Sequence, residues 1–137
     1  MRVVLDCNVL ISAGLNPGIC RTVLHEVLES HQCILSAQIL REYVTVARRK
    51  RFARAEEILI SLIQVVSRNA AFVAPEPSTL HLPDSKDRPY LDAALAAKAA
   101  VLITGNKKHF PDSAYQGVRI VSPRQFLEMS QEHENPL

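Results

Sequence analysis

Short, continuous apolar runs alternate along the chain with longer segments in which apolar residues recur every three or four positions. Val3–Leu5 is an uninterrupted apolar run, which suits a strand buried on both faces of a parallel sheet. Further strands are predicted at Cys33–Leu35, Ala70–Ala74, Val101–Thr104 and Val118–Val121. The periodic segments predict helices at 19–30, after Ser36, around 58–66, at 90–99 and after Ser122. Strands that alternate with helices predict an α/β fold with a parallel sheet of about five strands between two helical layers.

The size of the chain and its apolar content agree with one domain. At 137 residues and 47% hydrophobic residues, the chain can build a substantial core without disulfides or metals to hold it. No repeat or second domain is evident, so a single domain is predicted over residues 1–137. The polar tail from about residue 131 is expected to fray.

The charge and the cysteine content of the chain exclude few functions, but they bear on its partners and its redox environment. The formal net charge of +2 is too small to imply a nucleic-acid partner by itself. The three cysteines form no CxxC pair and are odd in number, which favours a reduced, cytoplasmic protein. No secretory leader is recognisable, and no apolar run is long enough to cross a membrane.

Polar and acidic residues follow the predicted strands. Asp6 and Asn8 come after the first strand, and Thr104 and Asn106 come after the fourth. Asp87 opens the helix before the fourth strand, and Glu42 lies one to two turns into the helix after the second. Because the carboxyl ends of parallel strands share one edge of a sheet, these groups can meet there.

Three carboxylates at one edge would repel each other strongly unless a divalent cation neutralised them. Oxygen ligands of this kind suit Mg²⁺ or Mn²⁺. The chemistry that fits is metal-assisted hydrolysis of a phosphodiester bond.

The chain resembles the PIN-domain nucleases, in particular the bacterial branch of VapC-like ribonuclease toxins from toxin–antitoxin pairs. The motifs that carry the resemblance span most of the chain: residues 3–12 (VVLDCNVLIS), Ser36 with Glu42–Tyr43, residues 84–91 (DSKDRPYL), residues 102–106 (LITGN) and residues 119–127 (RIVSPRQFL). The resemblance implies a Rossmann-like α/β/α sandwich and Mg²⁺- or Mn²⁺-dependent cleavage of single-stranded RNA. It also implies a small antitoxin partner and a possible homodimer.

The resemblance assigns the acids one by one. Asp6, Glu42 and Asp87 match the three core acids of the family, and Asn106 falls where many members have a fourth acid. An amide can bind a hydroxyl or a water but brings no charge, so a weaker second metal or a one-metal site is expected. Lys107 and Lys108 stand where an acid is common and could hold a phosphate instead.

Several residues keep two interpretations. Asp87 is also well placed as a helix N-cap, and the two roles are compatible. Asp84 is either a supporting acid or a solvated loop residue. The basic segment around Phe52, with Arg48, Arg49 and Arg51, is either a solvated helix end or a track for RNA phosphates.

Cysteine and histidine chemistry is not expected. Cys7 is interpreted as a packing residue that points away from Asp6, since no histidine is placed to activate it. The five histidines lack the spacing of zinc ligands.

Two other functions remain as alternatives to a nuclease. A catalytically weak PIN-fold module that binds RNA or protein is suggested by Asn106. A phosphoacceptor receiver domain ranks lower, because such domains need an acid pair after the first strand and an Asp after the third. Here the first strand ends in one acid and the third closes on Ala74–Pro75.

Overall fold

A six-stranded sheet forms the middle layer of the computed structural model, which describes residues 1–134, with side chains as far as Glu132. The strands are β1 (Arg2–Leu5), β2 (Gln32–Leu35), β3 (Ala71–Phe72), β4 (Val101–Ile103), β5 (Ala114–Tyr115) and β6 (Val118–Val121). Their order is β3-β2-β1-β4-β6-β5, and all neighbours are parallel except β5 and β6. The predicted parallel sheet is confirmed, with one antiparallel strand added at its edge.

Six helices cover the sheet and give the predicted α/β/α sandwich. They are α1 (Cys7–Leu15), α2 (Ile19–Ser30), α3 (Ala37–Ala47), α4 (Glu56–Asn69), α5 (Arg88–Ala97) and α6 (Pro123–Glu134). Helix α5 packs on the three central strands β1, β2 and β4, while α1 packs against α2, α3 and α4. Short 3-10 turns occupy Lys50–Ala55, Ser85–Asp87 and Lys107–His109. None of the helices within residues 1–134 combines the length and hydrophobicity needed to cross a bilayer.

Local sequence explains where two of the predicted helices begin. The Ser36 hydroxyl accepts a hydrogen bond from the Ile39 N–H at 3.2 Å, which caps α3 as expected. At α6, the Ser122 hydroxyl accepts from the Gln125 N–H, and the Gln125 side chain accepts from the Ser122 N–H. This reciprocal pair is a capping box, with Pro123 following at the first helical position.

Two elements were not predicted. Helix α1 follows β1 directly, and five of its nine residues are buried, so it lacks the polar face that makes a helix visible in a sequence. Strand β5 has two residues and joins β6 through Gln116 and Gly117, both with positive φ. Residues 131–134, part of the tail expected to fray, are helical, and the rest of that tail lies outside the described residues.

The order of the strands creates a crevice beside β1. The chain builds β2 and β3 on one side of β1 and then crosses to build β4 and β6 on the other. Between β1 and β4 the connections therefore leave in opposite directions, which opens a gap at the carboxyl ends of these two strands. Asp6 and Thr104 are the first residues after them.

One buried hydroxyl anchors this end of β1. Tyr43 on α3 is fully buried, and its hydroxyl donates to the Leu5 carbonyl at 2.5 Å. The hydroxyl of nearby Tyr90 is also buried but has no well-formed hydrogen bond, since the neighbouring Cys7 thiol is a weak partner.

The two tyrosines form a matched pair for measuring stability. Tyr43→Phe should lower the free energy of unfolding by about 1–2 kcal/mol, because it leaves a buried carbonyl without its donor. Tyr90→Phe should be neutral or slightly stabilising. Urea unfolding of both variants is the measurement, and equal effects would contradict the anchoring role of Tyr43.

Candidate active site

Asp6 is held at both carboxylate oxygens between β1 and β4. Its Oδ1 accepts a hydrogen bond from the Cys7 N–H at 2.8 Å and so caps α1. Its Oδ2 accepts from the Thr104 hydroxyl at 2.7 Å and from the Asn8 amide at 3.4 Å. With 4% of its surface exposed, the carboxylate has a fixed orientation at the crevice.

Asp87 is the second buried acid at the crevice, with 8% of its surface exposed. It ends the 3-10 turn before α5 and occupies the N-cap position, but its side chain makes no capping hydrogen bond, so the predicted capping role is wrong. Its Oδ2 lies 3.1 Å from Nδ1 of His109, although the contact lacks the alignment of a formed hydrogen bond. Because Asp87 is the last residue of the 3-10 turn, its side chain points towards His109 and not towards the first N–H groups of α5.

Asp84, and not Asp87, makes a capping hydrogen bond in this segment, at the 3-10 turn rather than at α5. Its side chain accepts from the Lys86 N–H at 2.9 Å and starts the 3-10 turn, and the residue is otherwise exposed. Asp92 accepts from the Ser78 N–H at 3.1 Å and is not part of the crevice.

The loop after β4 connects the surroundings of Asp6 with those of Asp87. The Asn106 N–H donates to the Thr104 hydroxyl oxygen at 3.0 Å, and the Asn106 side-chain amide lies 3.0 Å from Nε2 of His109. The Gly105 N–H donates to Asn8 Oδ1 at 3.1 Å, which ties the same loop to the start of α1.

A cavity of about 550 Å³ opens at this edge of the sheet. Seven of the residues singled out in the sequence line it: Asp6, Asn8, Glu42, Asp84, Asp87, Arg49 and Arg51. Five others do not reach its wall, namely Thr104, Asn106, Lys107, Arg48 and Lys108. The three predicted acids thus share one cavity. From the loop after β4, His109 lines the cavity and Asn106 does not.

Burial dominates the electrostatics of the two deepest acids. It raises the pKa of Asp6 above the usual carboxyl range, against the lowering effect of the hydrogen bonds from Thr104 and Cys7. It also raises the pKa of Asp87, where His109 acts in the opposite direction and the negative charge of Asp6 adds to the increase. The two carboxylates are therefore close enough to repel each other.

Cys7 lines the same cavity, so the prediction that it points away from Asp6 is wrong. It is the first residue of a helix rather than the next residue of a strand, and the alternation expected of strands does not apply. Burial, and then the charges of Glu42 and Asp6, raise the pKa of the thiol to about 12. The group stays protonated at neutral pH, which agrees with its interpretation as a packing residue.

The donor set suits a hard divalent cation in its chemistry. The acids offer carboxylate oxygens, which are the ligands that Mg²⁺ prefers. One of these oxygens, Asp87 Oδ2, is buried without an aligned hydrogen bond. A positive charge would also relieve the repulsion between Asp6 and Asp87. Among the side chains described, residues 1–132, no three His, Cys, Asp or Glu side chains are grouped closely enough to hold a metal ion. A cation here would therefore keep several water ligands, as Mg²⁺ usually does.

The basic segment reaches the cavity through its 3-10 turn. Arg49 and Arg51 line the wall together with half-buried Phe52, and the Arg51 guanidinium lies 4.6 Å from the centre of the Phe52 ring. Two arginines and an aromatic ring of this segment thus share the cavity with the acids.

His109 is the residue that sequence analysis missed. Its spacing from the other histidines does not suit zinc, and its contacts depend instead on Asn106 three positions earlier. A 3-10 turn brings residues i and i+3 onto one side, so the pattern Asn-x-x-His after an apolar strand was the available signal.

Comparison with known proteins agrees with this description of the fold. A family model described as the PIN domain matches residues 2–108. The structure is similar to the crystal structure of VapBC2 from Rickettsia felis bound to a DNA fragment from its promoter, with a TM-score of 0.61 and 14% sequence identity. The match covers 89% of this chain and 98% of that one. No curated protein matches the chain in sequence.

The raised pKa of Asp87 predicts how stability depends on pH. Because ionised Asp87 is less favourable in the folded than in the unfolded chain, Asp87→Asn should raise the free energy of unfolding of the metal-free protein at neutral pH. The gain should be lost as the pH falls below the ordinary carboxyl value of 3.8, where the carboxyl is protonated in both the folded and the unfolded chain. Thermal unfolding in EDTA at the two pH values is the measurement. Asp112→Asn, at an exposed position, is the control, and a destabilised Asp87→Asn at neutral pH would contradict the prediction.

Proposed function

The chain belongs to the PIN-domain family, whose members are generally nucleases, and on this premise we propose that it is a metal-dependent endoribonuclease acting on single-stranded RNA. The observation that carries the proposal is the shared cavity of Asp6, Glu42 and Asp87, two of which are buried despite the repulsion between them. An enzyme that needs a cation and an anionic substrate has a reason to keep such charges together.

The proposed chemistry divides between the acids and the ion. Asp6, Glu42 and Asp87 would hold Mg²⁺ or Mn²⁺, in part through the water ligands of the ion. The ion, when bound, would supply an activated water and offset charge on the transferring phosphoryl group. The Thr104 hydroxyl and the Cys7 N–H orient Asp6 for this task. Because Asn106 does not reach the cavity wall, we propose one ion rather than two.

The proposed substrate follows from the shape and charge of the cavity. The acids lie inside a recess, so the scissile phosphate must enter it, which a flexible single strand does more easily than a duplex. Arg49 and Arg51 would bind neighbouring phosphates, and Phe52 offers an aromatic surface to a base. The choice of RNA over DNA rests on the family resemblance.

We further propose a toxin role in the cytoplasm with a small antitoxin as partner. The support is the fold similarity to VapBC2, whose crystal structure contains a DNA fragment from its promoter. The antitoxin would cover the approach to the cavity, and a homodimer belongs to the same proposal. Co-purification with the product of a neighbouring short reading frame, followed by sedimentation analysis, tests both.

A second candidate function is a PIN-fold module that binds RNA with little turnover. It is favoured by the amide at position 106 and by the lack of a ready-made metal cluster within the described part of the chain. It predicts RNA binding that does not depend on Mn²⁺ and no new cleavage products.

The first test of the proposed function is Asp6→Asn, which keeps the size of the side chain but removes its charge. Cleavage of single-stranded RNA with Mn²⁺ should fall by at least about 100-fold, as expected when a metal ligand is lost. Single-turnover cleavage on gels is the measurement, and circular dichroism controls for folding. Equal cleavage by the two proteins would reject the nuclease proposal.

The second test concerns the basic wall of the cavity. Arg51→Ala should weaken RNA binding and reduce the slope of log affinity against log salt by about one. Fluorescence anisotropy with a labelled RNA at several salt concentrations is the measurement. Arg68→Ala, an exposed arginine on α4 away from the cavity, is the matched control. The phosphate track would be rejected if both variants behaved alike.

A further inference from the structure

A continuous series of polar contacts runs from one buried acid to the other through the loop after β4. Asp6 Oδ2 accepts from the Thr104 hydroxyl, whose oxygen accepts from the Asn106 N–H. The Asn106 side chain contacts Nε2 of His109, and Nδ1 of His109 contacts Asp87 Oδ2. Every distance in this series is between 2.7 and 3.1 Å.

We infer that His109, held in place by the Asn106 amide, is a positioning residue that sets the orientation of the Asp87 carboxylate in the cavity. The inference deepens the proposed function, because Asp87 is one of the acids that would hold the ion. It also gives Asn106 a role different from that of a weakened metal ligand.

The donors and acceptors around His109 indicate which of its ring nitrogens carries a proton. A carboxylate only accepts, so the contact between Asp87 and His109 is attractive only when Nδ1 carries a proton. The Asn106 amide nitrogen only donates, so Nε2 must present its lone pair to it. Together the two contacts require a proton on Nδ1 and a free lone pair on Nε2, which is one of the two tautomers of the ring.

The same contacts explain why His109 acts through Asp87 and does not itself bind the ion. Both of its ring nitrogens are engaged, one by a carboxylate and one by an amide. Binding a metal or a phosphate would require the ring to release one of these partners. The ring therefore serves as a rigid spacer between the loop and the acid.

Asp87 depends on this spacer because little else holds it. Its side chain makes no capping hydrogen bond to α5, and its Oδ2 has no aligned partner. Asp6, by contrast, has hydrogen-bond donors at both oxygens. Without His109, the Asp87 carboxylate could rotate away from the negative charge of Asp6 and so from the position that a shared ion requires.

An amide at position 106 is needed for this arrangement. A carboxylate there could not donate to Nε2 and would leave the ring without its contact to the loop. Asn106→Asp should therefore release His109 from the loop and would not simply restore an additional metal ligand.

The test measures Mn²⁺ affinity by isothermal titration calorimetry, independently of RNA cleavage. His109→Ala should weaken Mn²⁺ binding by about 10-fold or more, the usual effect of losing a group that orients a metal ligand. His109→Gln should recover most of the affinity, because its amide can donate to Asp87 and accept from Asn106. His25→Ala, at an exposed position on α2, is the matched control and should bind like the unmodified protein.

Nitrogen-15 NMR of the imidazole provides a second readout. The unmodified protein at mildly alkaline pH should show His109 protonated on Nδ1, and Asn106→Ala should allow the other tautomer to appear. A proton on Nε2 in the unmodified protein, or unchanged Mn²⁺ affinity in His109→Ala, would overturn the inference.

The two readouts separate this inference from the proposed function. If the unmodified protein cleaves RNA and binds Mn²⁺ but His109→Ala does both equally well, only the positioning role fails. If the unmodified protein neither cleaves RNA nor binds Mn²⁺, the proposed function fails, and the tautomer of His109 then decides whether the contacts with Asn106 and Asp87 hold.

Discussion

The burial of two carboxylates in one cavity is the constraint that shapes this end of the molecule. Removing a carboxylate from water is unfavourable, and a second negative charge nearby makes it more so. Polar groups around Asp6 and Asp87 offset part of this unfavourable free energy. They face the acids or one another and comprise a helix N-terminus, a threonine hydroxyl, two amides and an imidazole. The apolar core beneath forms one continuous cluster, which can tolerate an unfavourable site above it.

Sheet topology decides which residues can share that cavity. Asp6 and Thr104 are 98 positions apart in sequence but touch, because β1 and β4 are neighbours at the point where the chain changes direction. This part could be predicted from the sequence. Continuous apolar runs mark buried parallel strands, and polar residues directly after them must lie at one edge. The same logic, with the family resemblance, brought Glu42 to the cavity from a helix.

The features that sequence analysis missed depend on local geometry that hydrophobic patterning does not encode. Helix α1 is buried on most sides, so its apolar residues showed no helical period and Cys7 was treated as part of a strand. Asp87 stands at an N-cap position, yet a 3-10 turn aims its side chain elsewhere. A cap preference describes what a residue type usually does, and a neighbouring turn can override it.

The loop after β4 shows how a substitution can be misjudged when only its charge is considered. An asparagine at a position where an acid is common suggests a lost metal ligand. Its neighbours show a different requirement: Nε2 of His109 needs a donor, and of the two side chains only the amide can supply one. In terms of hydrogen bonding, the asparagine suits this position better than an acid, because it holds the imidazole that faces Asp87. The loop then belongs to the site through the acid that it positions, although Asn106 itself does not reach the cavity.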